Sequence, residues 1–422
     1  MMDVQDVPLP EAATDMPDTG EARAPAPSGC HILYVTHRLP YPPRDGARVR
    51  AFHSIRHLAK RNRVTVAAPV RSAEEERAAD ELRGLGHRVL TAPIGEGRAR
   101  LQAIWHAATW RPASAGYFDA PGLSPAIAAF IREDPIDLAV VHCSAVGHLV
   151  AGLTGVPKVL DFVDMDSRKW RDYSRVTPWP RNLVHAWEAF HLGNRERRLA
   201  GRFDLSLTAT RHEDATLQSM APATRRAVVR NGVDTDYFCP GDAPYEPDHI
   251  VFIGRMDYFP NEQAMCAFCA DVLPLVRVRR PEAKLTIVGA DPGPRVRALA
   301  ETPGVTVTGS VDDVRPYVRR AALTVAPLQL ARGTQNKVLE AMAMGVPVVA
   351  SELAARGVDA VPERHLLAAT APEAMADAIV RVLADPDERV RLASAGRQLV
   401  TQHYTWSTTL RDLDSALARC LP

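Results

Sequence analysis

From Cys30 onward the chain alternates short β-rich apolar runs with longer mixed segments. Residues 31–35 read as a buried strand, followed by a Pro/Gly loop, a helix through Val49, Phe52 and Leu58, and a second strand at 64–68. Further runs at 137–141, 158–161 and 204–208 are separated by segments long enough for crossover helices, which implies a parallel sheet. A polar Pro/Gly/Asp stretch at 240–248 reads as a linker, and a second alternation follows with strands at 250–253, 284–288, 305–307, 323–326 and 346–350. The pattern therefore predicts an α/β chain of two Rossmann-like, doubly wound domains, 30–239 and 249–400, with ligands expected in the cleft beyond the strands' carboxyl ends. Residues 401–422 are expected to form a closing helix that packs back on the first domain. Residues 1–29, rich in Pro, Ala, Asp and Glu and without periodicity, are expected to form a flexible tail.

Composition narrows the class. A hydrophobic share of 46% with 24% charged residues argues against general disorder and fibrous repeats. Lys+Arg 51 against Asp+Glu 50 leaves +1, which gives no electrostatic reason to expect nucleic acid as a partner. Six scattered cysteines suit a reducing compartment, so a cytoplasmic protein is expected. The N-terminus has no apolar signal region, and no apolar run approaches the roughly 18 residues of a membrane span.

Several segments could carry chemistry. The loop from Leu39 to Gly46 follows the first strand, where its amides could face an anion at a helix start, or it could be a stiff turn without a ligand. Gly254-Arg255 ends the first strand of the second domain, and Gly333-Thr-Gln-Asn-Lys337 precedes a helix that Gly345 terminates. A guanidinium, an ammonium and a helix start at strand ends would together stabilise a departing diphosphate. Glu340, one turn into that helix, could accept ribose hydroxyls or be an ordinary surface glutamate. His142 follows a strand and could either meet sugar hydroxyls or be a packed core histidine. Cys266 and Cys269 have redox spacing but lie inside an expected helix, where packing is the expectation. The helical run Leu101, Ile104, Trp105 and Ala108, flanked by Arg98, Arg100, Trp110 and Arg111, fits either core packing or peripheral membrane contact. No Walker lysine motif and no complete Gly-x-Gly-x-x-Gly fingerprint occurs.

The run from Gly333 to Ser351 resembles the donor-site signature of glycosyltransferase family 4, retaining enzymes of the GT-B fold. Arg230 through Phe238 is similar to that family's interdomain segment, and Gly309-Ser-Val311 and Tyr404-Thr-Trp406 also match. Leu39 to Pro43, Asp161 to Ser167, Lys169-Trp170 and Gly254 to Asn261 together look most like the sugar transferase branch accompanying exosortase/PEP-CTERM exopolysaccharide systems.

The resemblance implies that Arg255 and Lys337 are diphosphate ligands and that Glu340 is the ribose ligand. It also implies donor contacts at Gln335 and Asn336, an amide donor at Gly46, and Ser310 near the base. Asp164 falls where the family faces the reacting sugar, and is expected to orient or stabilise it. Asp166, with Ser167, is expected to cap a helix or order the loop. Two positions depart: the family's glutamate eight residues before Glu340 is Arg332, expected to meet phosphate or an acidic sugar, and its lysine six residues after Arg255 is Asn261. Lys337 is expected to compensate for that missing lysine charge. No obligatory metal or cofactor is implied, since the nucleotide sugar is a substrate. The function expected is sugar transfer from a nucleoside-diphosphate donor to a saccharide or lipid-linked acceptor, with a nucleotide-sugar epimerase and a non-catalytic nucleotide-sugar-binding subunit as the alternatives. A lipid-linked acceptor would suit peripheral contact with the inner face of the cytoplasmic membrane.

Overall fold

The computed structural model describes residues 26–43 and 45–421. The tail expected at the N-terminus lies almost wholly outside the described residues. Seven strands form the first sheet: β1 (His31–Thr36), β2 (Arg63–Val70), β3 (Arg88–Pro93), β4 (Leu138–His142), β5 (Lys158–Val163), β6 (Leu205–Thr208) and β7 (Arg226–Val228). They run in the order β3-β2-β1-β4-β5-β6-β7, and every pairing is parallel. The second sheet holds β8 (Glu246–Ile253), β9 (Lys284–Val288), β10 (Val305–Val307), β11 (Ala321–Ala326), β12 (Val348–Ala350) and β13 (Leu367–Ala368). Its order is β10-β9-β8-β11-β12-β13, again parallel throughout.

Helices cover both faces of each sheet, so the inner strands are buried on both sides and read as unbroken apolar runs. All six residues of β1 are buried, for example, and so are all six of β11. In each sheet the strand order reverses once, between β1 and β4 in the first and between β8 and β11 in the second, which opens a crevice at the carboxyl ends there. The loop ending at Gly46 leaves β1, Gly254 and Arg255 leave β8, and the Gly333–Lys337 segment follows β11.

Three strands are additional to those expected, namely β3, β7 and β13, and β8 begins at Glu246, inside the stretch expected to be linker. The closing helix Trp406–Ala418 places Leu410, Leu413 and Leu417 in one apolar cluster with Ile55 and Leu58 of the first domain. Beside them His57 Nε2 lies 2.8 Å from Asp414 Oδ2.

Two local expectations are corrected. Asp166 is the first residue of the Asp166–Val176 helix, whose cap is Met165 without a side-chain bond, so its carboxylate does not cap. Instead Ser167 donates from both its amide and its hydroxyl to the buried Glu196. The helix Glu96–Ala108 does not bury its apolar stripe, because Ala99 and His106 carry its packing while Leu101, Ile104 and Trp105 are exposed.

Candidate active site

The second domain supplies a cation held between a buried amide and an aromatic ring. Gly333, at φ 61°, turns the chain into the helix Asn336–Ala343, a backbone conformation that glycine adopts without strain. Lys337, in that helix's first turn, donates from Nζ to Asn261 Oδ1 at 2.7 Å and sits 4.3 Å from the centre of the Phe252 ring. Asn261 is itself buried and donates from Nδ2 to the Arg255 carbonyl at 2.8 Å, which locks the chain leaving β8 to the lysine. A Cβ at Gly254 would stand 2.8 Å from Asn261 Nδ2 and 3.1 Å from Lys337 Nζ, so this close approach requires glycine.

Burial pulls Lys337 down to about 7, opposed by the nearby Glu340 carboxylate. Burial likewise pushes Glu340 up to about 7, opposed by Lys337. Glu340 lies three residues beyond Lys337, one turn along the same helix face. An anionic diphosphate at this place would hold the lysine protonated.

Arg255 reaches this site through its backbone. Its guanidinium, half exposed at the rim, forks onto Asp257 at 3.1 and 2.6 Å, and Asp291 lies 3.6 Å away. Ser310 is exposed in the loop after β10, beside Gly309, whose carbonyl accepts from the Gly289 amide. Gln335 precedes the Asn336–Ala343 helix and donates to the Arg332 carbonyl at 3.0 Å.

The first domain meets the start of that helix with a helix start of its own. Asp45 caps Gly46–Leu58 by accepting from the Arg48 amide at 3.0 Å, and a Cβ at Gly46 would lie 3.2 Å from Asn336 Nδ2. Asn336 Oδ1 also accepts from Asn231 Nδ2 at 3.3 Å. Asn231 in turn accepts from the buried Arg50, which donates to both oxygens of Asp161 at 2.8 and 3.1 Å and to the Val229 carbonyl at 2.8 Å. Although burial works to raise it, Arg50 holds the Asp161 carboxyl far below the usual carboxylate range. This chain from Asp161 through Arg50 and Asn231 to Asn336 joins the two domains at the site. The sequence reading missed it, and its one visible signal was an arginine on the apolar face of the Gly46–Leu58 helix.

Asp164 abuts the Gly333 loop from across the cleft so closely that any side chain at Gly333 would overlap its carboxylate. Its Oδ1 has no hydrogen-bond partner among the described residues. Burial first, then Glu213 and Asp166, push its carboxyl up to about 7 against the pull of Lys169 and Arg50.

Arg332 does not stand free for a phosphate or an acidic sugar, as had been expected. It donates to Asp172 at 2.7 Å, lies 3.7 Å from buried Glu213, and so pairs the donor-side loop with the first domain. His142 is buried, with both ring nitrogens lacking hydrogen-bond partners; its Nδ1 lies 3.5 Å from Asp161, and it stacks on His37 at 6.0 Å. It belongs to the packed floor beneath the cleft. Cys269 is buried in the second core and all six cysteines are free thiols. Among the described residues no group of His, Cys, Asp and Glu is arranged to hold a metal, and no helix is long and apolar enough to cross a membrane.

Residues 247–385 match the family model described as glycosyl transferases group 1. Over these residues the second domain is similar to the group 1 glycosyl transferases. Among curated proteins, the chain is 29% identical over 216 residues to a GDP-mannose-dependent alpha-(1-6)-phosphatidylinositol monomannoside mannosyltransferase of Mycobacterium tuberculosis, covering 45% of this chain and 55% of that protein. It is 26% identical over 249 residues to a D-inositol 3-phosphate glycosyltransferase of Corynebacterium glutamicum, covering 52% of this chain and 58% of that one. The chain thus spans a little over half the length of these curated relatives. Among solved structures, a sucrose-phosphate synthase from Thermosynechococcus elongatus superposes with a TM-score of 0.70 at 16% identity, over 92% of this chain and 98% of that one. Anabaena HepE in complex with UDP gives 0.65 at 15%, over 92% and 100%. The described residues therefore have the GT-B architecture of two Rossmann-like domains facing across a cleft.

Proposed function

We propose that the protein transfers a sugar from a nucleoside-diphosphate donor to a saccharide or lipid-linked saccharide acceptor, in the cytoplasm and with retention at the anomeric carbon. The observation that carries this reading is the Lys337–Asn261 clamp on the Arg255 carbonyl, at the second sheet's switch point, with Glu340 one turn further on. A cation and a helix start converge there on the volume a diphosphate would fill. The likeness to sugar transferases, and to a fold neighbour that carries UDP, supports the donor class. Resemblance to the exosortase/PEP-CTERM sugar transferase branch supports an acceptor in exopolysaccharide assembly.

In this scheme Lys337 and the amides opening the Asn336–Ala343 helix stabilise the charge that develops on the departing diphosphate, and Glu340 accepts from the ribose hydroxyls. Arg255 exchanges Asp257 for a phosphate oxygen. Asp164, across the cleft, faces the reacting sugar and stabilises the positive charge that grows at its anomeric carbon. The diphosphate leaves on the face the acceptor enters, so its own oxygen takes the acceptor's proton and no protein nucleophile is needed.

A thermal-shift screen of nucleoside diphosphates and their sugars, followed by NMR of the product formed with saccharide acceptors, tests the reading. One nucleotide series should raise the melting temperature through binding to the folded form, and the product should keep the donor's anomeric configuration. No shift with any nucleotide, or conversion of donor to its epimer without acceptor, overturns it.

A further inference from the structure

Two helices of the first domain turn apolar faces to solvent. On Glu96–Ala108, Leu101, Ile104 and Trp105 share one face and are each more than half exposed. On Arg181–Ala200, Leu183 and Phe190 share one face with Val184 on its flank, all three more than half exposed, while the buried side carries Glu188, Leu192, Glu196 and Leu199. This inverts the arrangement of a surface helix, whose apolar stripe ordinarily faces the core.

The two helices are joined through the segment that follows the first. Buried Glu188 accepts from the Ala113 and Ser114 amides at 2.7 and 2.9 Å, which fastens the segment following the first helix onto the second. Trp110 stands 5.8 Å from His191, ring to ring. Trp110 and Trp179, 74% and 77% exposed, flank the patch. Exposed apolar area of this extent, with tryptophans at its margin, marks an interaction surface.

Charge identifies the partner. Within residues 96–111 and 181–198 the exposed arginines are Arg98, Arg100, Arg111, Arg181, Arg197 and Arg198, while Glu188 and Glu196 are buried and Glu96 is the exposed carboxylate. A chain with a formal charge of +1 thus concentrates cations around these exposed apolar side chains. A second copy of the same face would set arginine against arginine. We propose that this face docks on an anionic lipid bilayer, with the tryptophan rings at headgroup level and the arginines on lipid phosphates.

The position of the face gives the docking a use. The Asp166–Val176 helix, which pairs with Arg181–Ala200 as a hairpin, lines the cleft: Tyr173 Oη is 3.4 Å from Tyr258 Oη, and Lys169 Nζ is 5.7 Å from the Tyr258 ring in the second domain. A bilayer held by the hairpin's outer helix lies beside the cleft mouth, where a lipid-linked acceptor can enter without leaving the surface. That last step rests on the transfer reaction proposed above, whereas the docking itself does not.

The experiment is co-sedimentation of the full chain with phosphatidylglycerol/phosphatidylcholine vesicles and with phosphatidylcholine alone. Binding is expected to the anionic vesicles, weakened by added salt, with a blue shift of tryptophan emission. The double variants Trp105→Glu/Leu183→Glu and Arg98→Glu/Arg181→Glu, all at exposed positions and checked by thermal melting, should each bind about tenfold or more weakly. Lys337→Ala should lose transfer and keep vesicle binding, which separates failure of the docking from failure of the chemistry. Absence of binding at low salt, binding by both variants as tight as that of the native chain, or a solution dimer that the same substitutions dissociate would overturn the proposal.

Discussion

Lys337 Nζ donates to Asn261 Oδ1 at 2.7 Å, and the same asparagine holds the Arg255 carbonyl through its nitrogen. One buried amide thus fixes the lysine and the rim strand together. It stands at a position where the resembled family carries a second lysine, so the site gains a positioned cation in place of a further charge. Removing that cation should cut turnover by about a hundredfold in Lys337→Ala, the scale of one lost charge-stabilising donor. Asn261→Ala should lower kcat by a smaller factor and also destabilise the fold by about 1–3 kcal/mol, because it leaves Lys337 and the Arg255 carbonyl without their buried partner. Steady-state kinetics with the identified donor check both.

The interdomain chain is expected to be structural in the first instance. Arg50 is buried and makes two bonds to Asp161 and two to Val229 and Asn231, so Arg50→Met leaves a buried carboxylate without its partner. Breaking such a pair costs about 3–5 kcal/mol. Arg50→Lys should restore little of it, because an ammonium cannot reproduce the fork. Urea unfolding of the three proteins measures the difference.

Gly333 and Asp164 should be energetically coupled across the cleft. Gly333→Ala adds a Cβ both at φ 61° and into the Asp164 carboxylate, and should destabilise the protein by about 1–3 kcal/mol. In the Asp164→Ala background the overlap is gone and only the backbone strain persists. A double-mutant cycle should therefore give a coupling above about 0.5 kcal/mol, whereas additive effects would mean that the two residues do not press on one another.

Stability should fall as the pH rises from weakly acid toward about 8 and level off above it. Burial pushes Glu196 up to about 8 against the hydrogen bonds from Ser167, so the folded state holds a proton that the unfolded chain releases near its ordinary value. The contribution is therefore full below that ordinary value and is lost as pH rises through about 8. Melting temperatures between about pH 6 and 9 should decline more steeply for the native chain than for Glu196→Gln, which mimics the protonated acid.

Much of the fold is written in local pattern. The strands 31–35, 64–68, 250–253 and 323–326 are legible because sheets covered on both faces demand continuous apolar runs. Arg88–Pro93, Arg226–Val228 and Leu367–Ala368 are not, since edge strands that are very short or carry polar residues resemble loops until a neighbour pairs with them. The residues Gly333 to Lys337 and Glu340 stand out by themselves, because glycine-governed entry to a helix is a local property. Asn261 and Arg332 were visible only as departures, and their partners were not.

The sequence by itself determined two parallel α/β domains, the switch-point loops, and the lysine and glutamate on one helix face, for these follow from spacing along a few turns of chain. Tertiary structure alone decided that Asn261 grips Lys337, that Arg332 binds Asp172 rather than a ligand, and that the Leu101–Trp105 stripe faces outward. Each of those outcomes depends on which residue, often a hundred positions distant, arrives to fill the opposite side. An amphipathic helix or a buried arginine fixes how much apolar surface or charge must be satisfied, and only the packed chain settles what satisfies it.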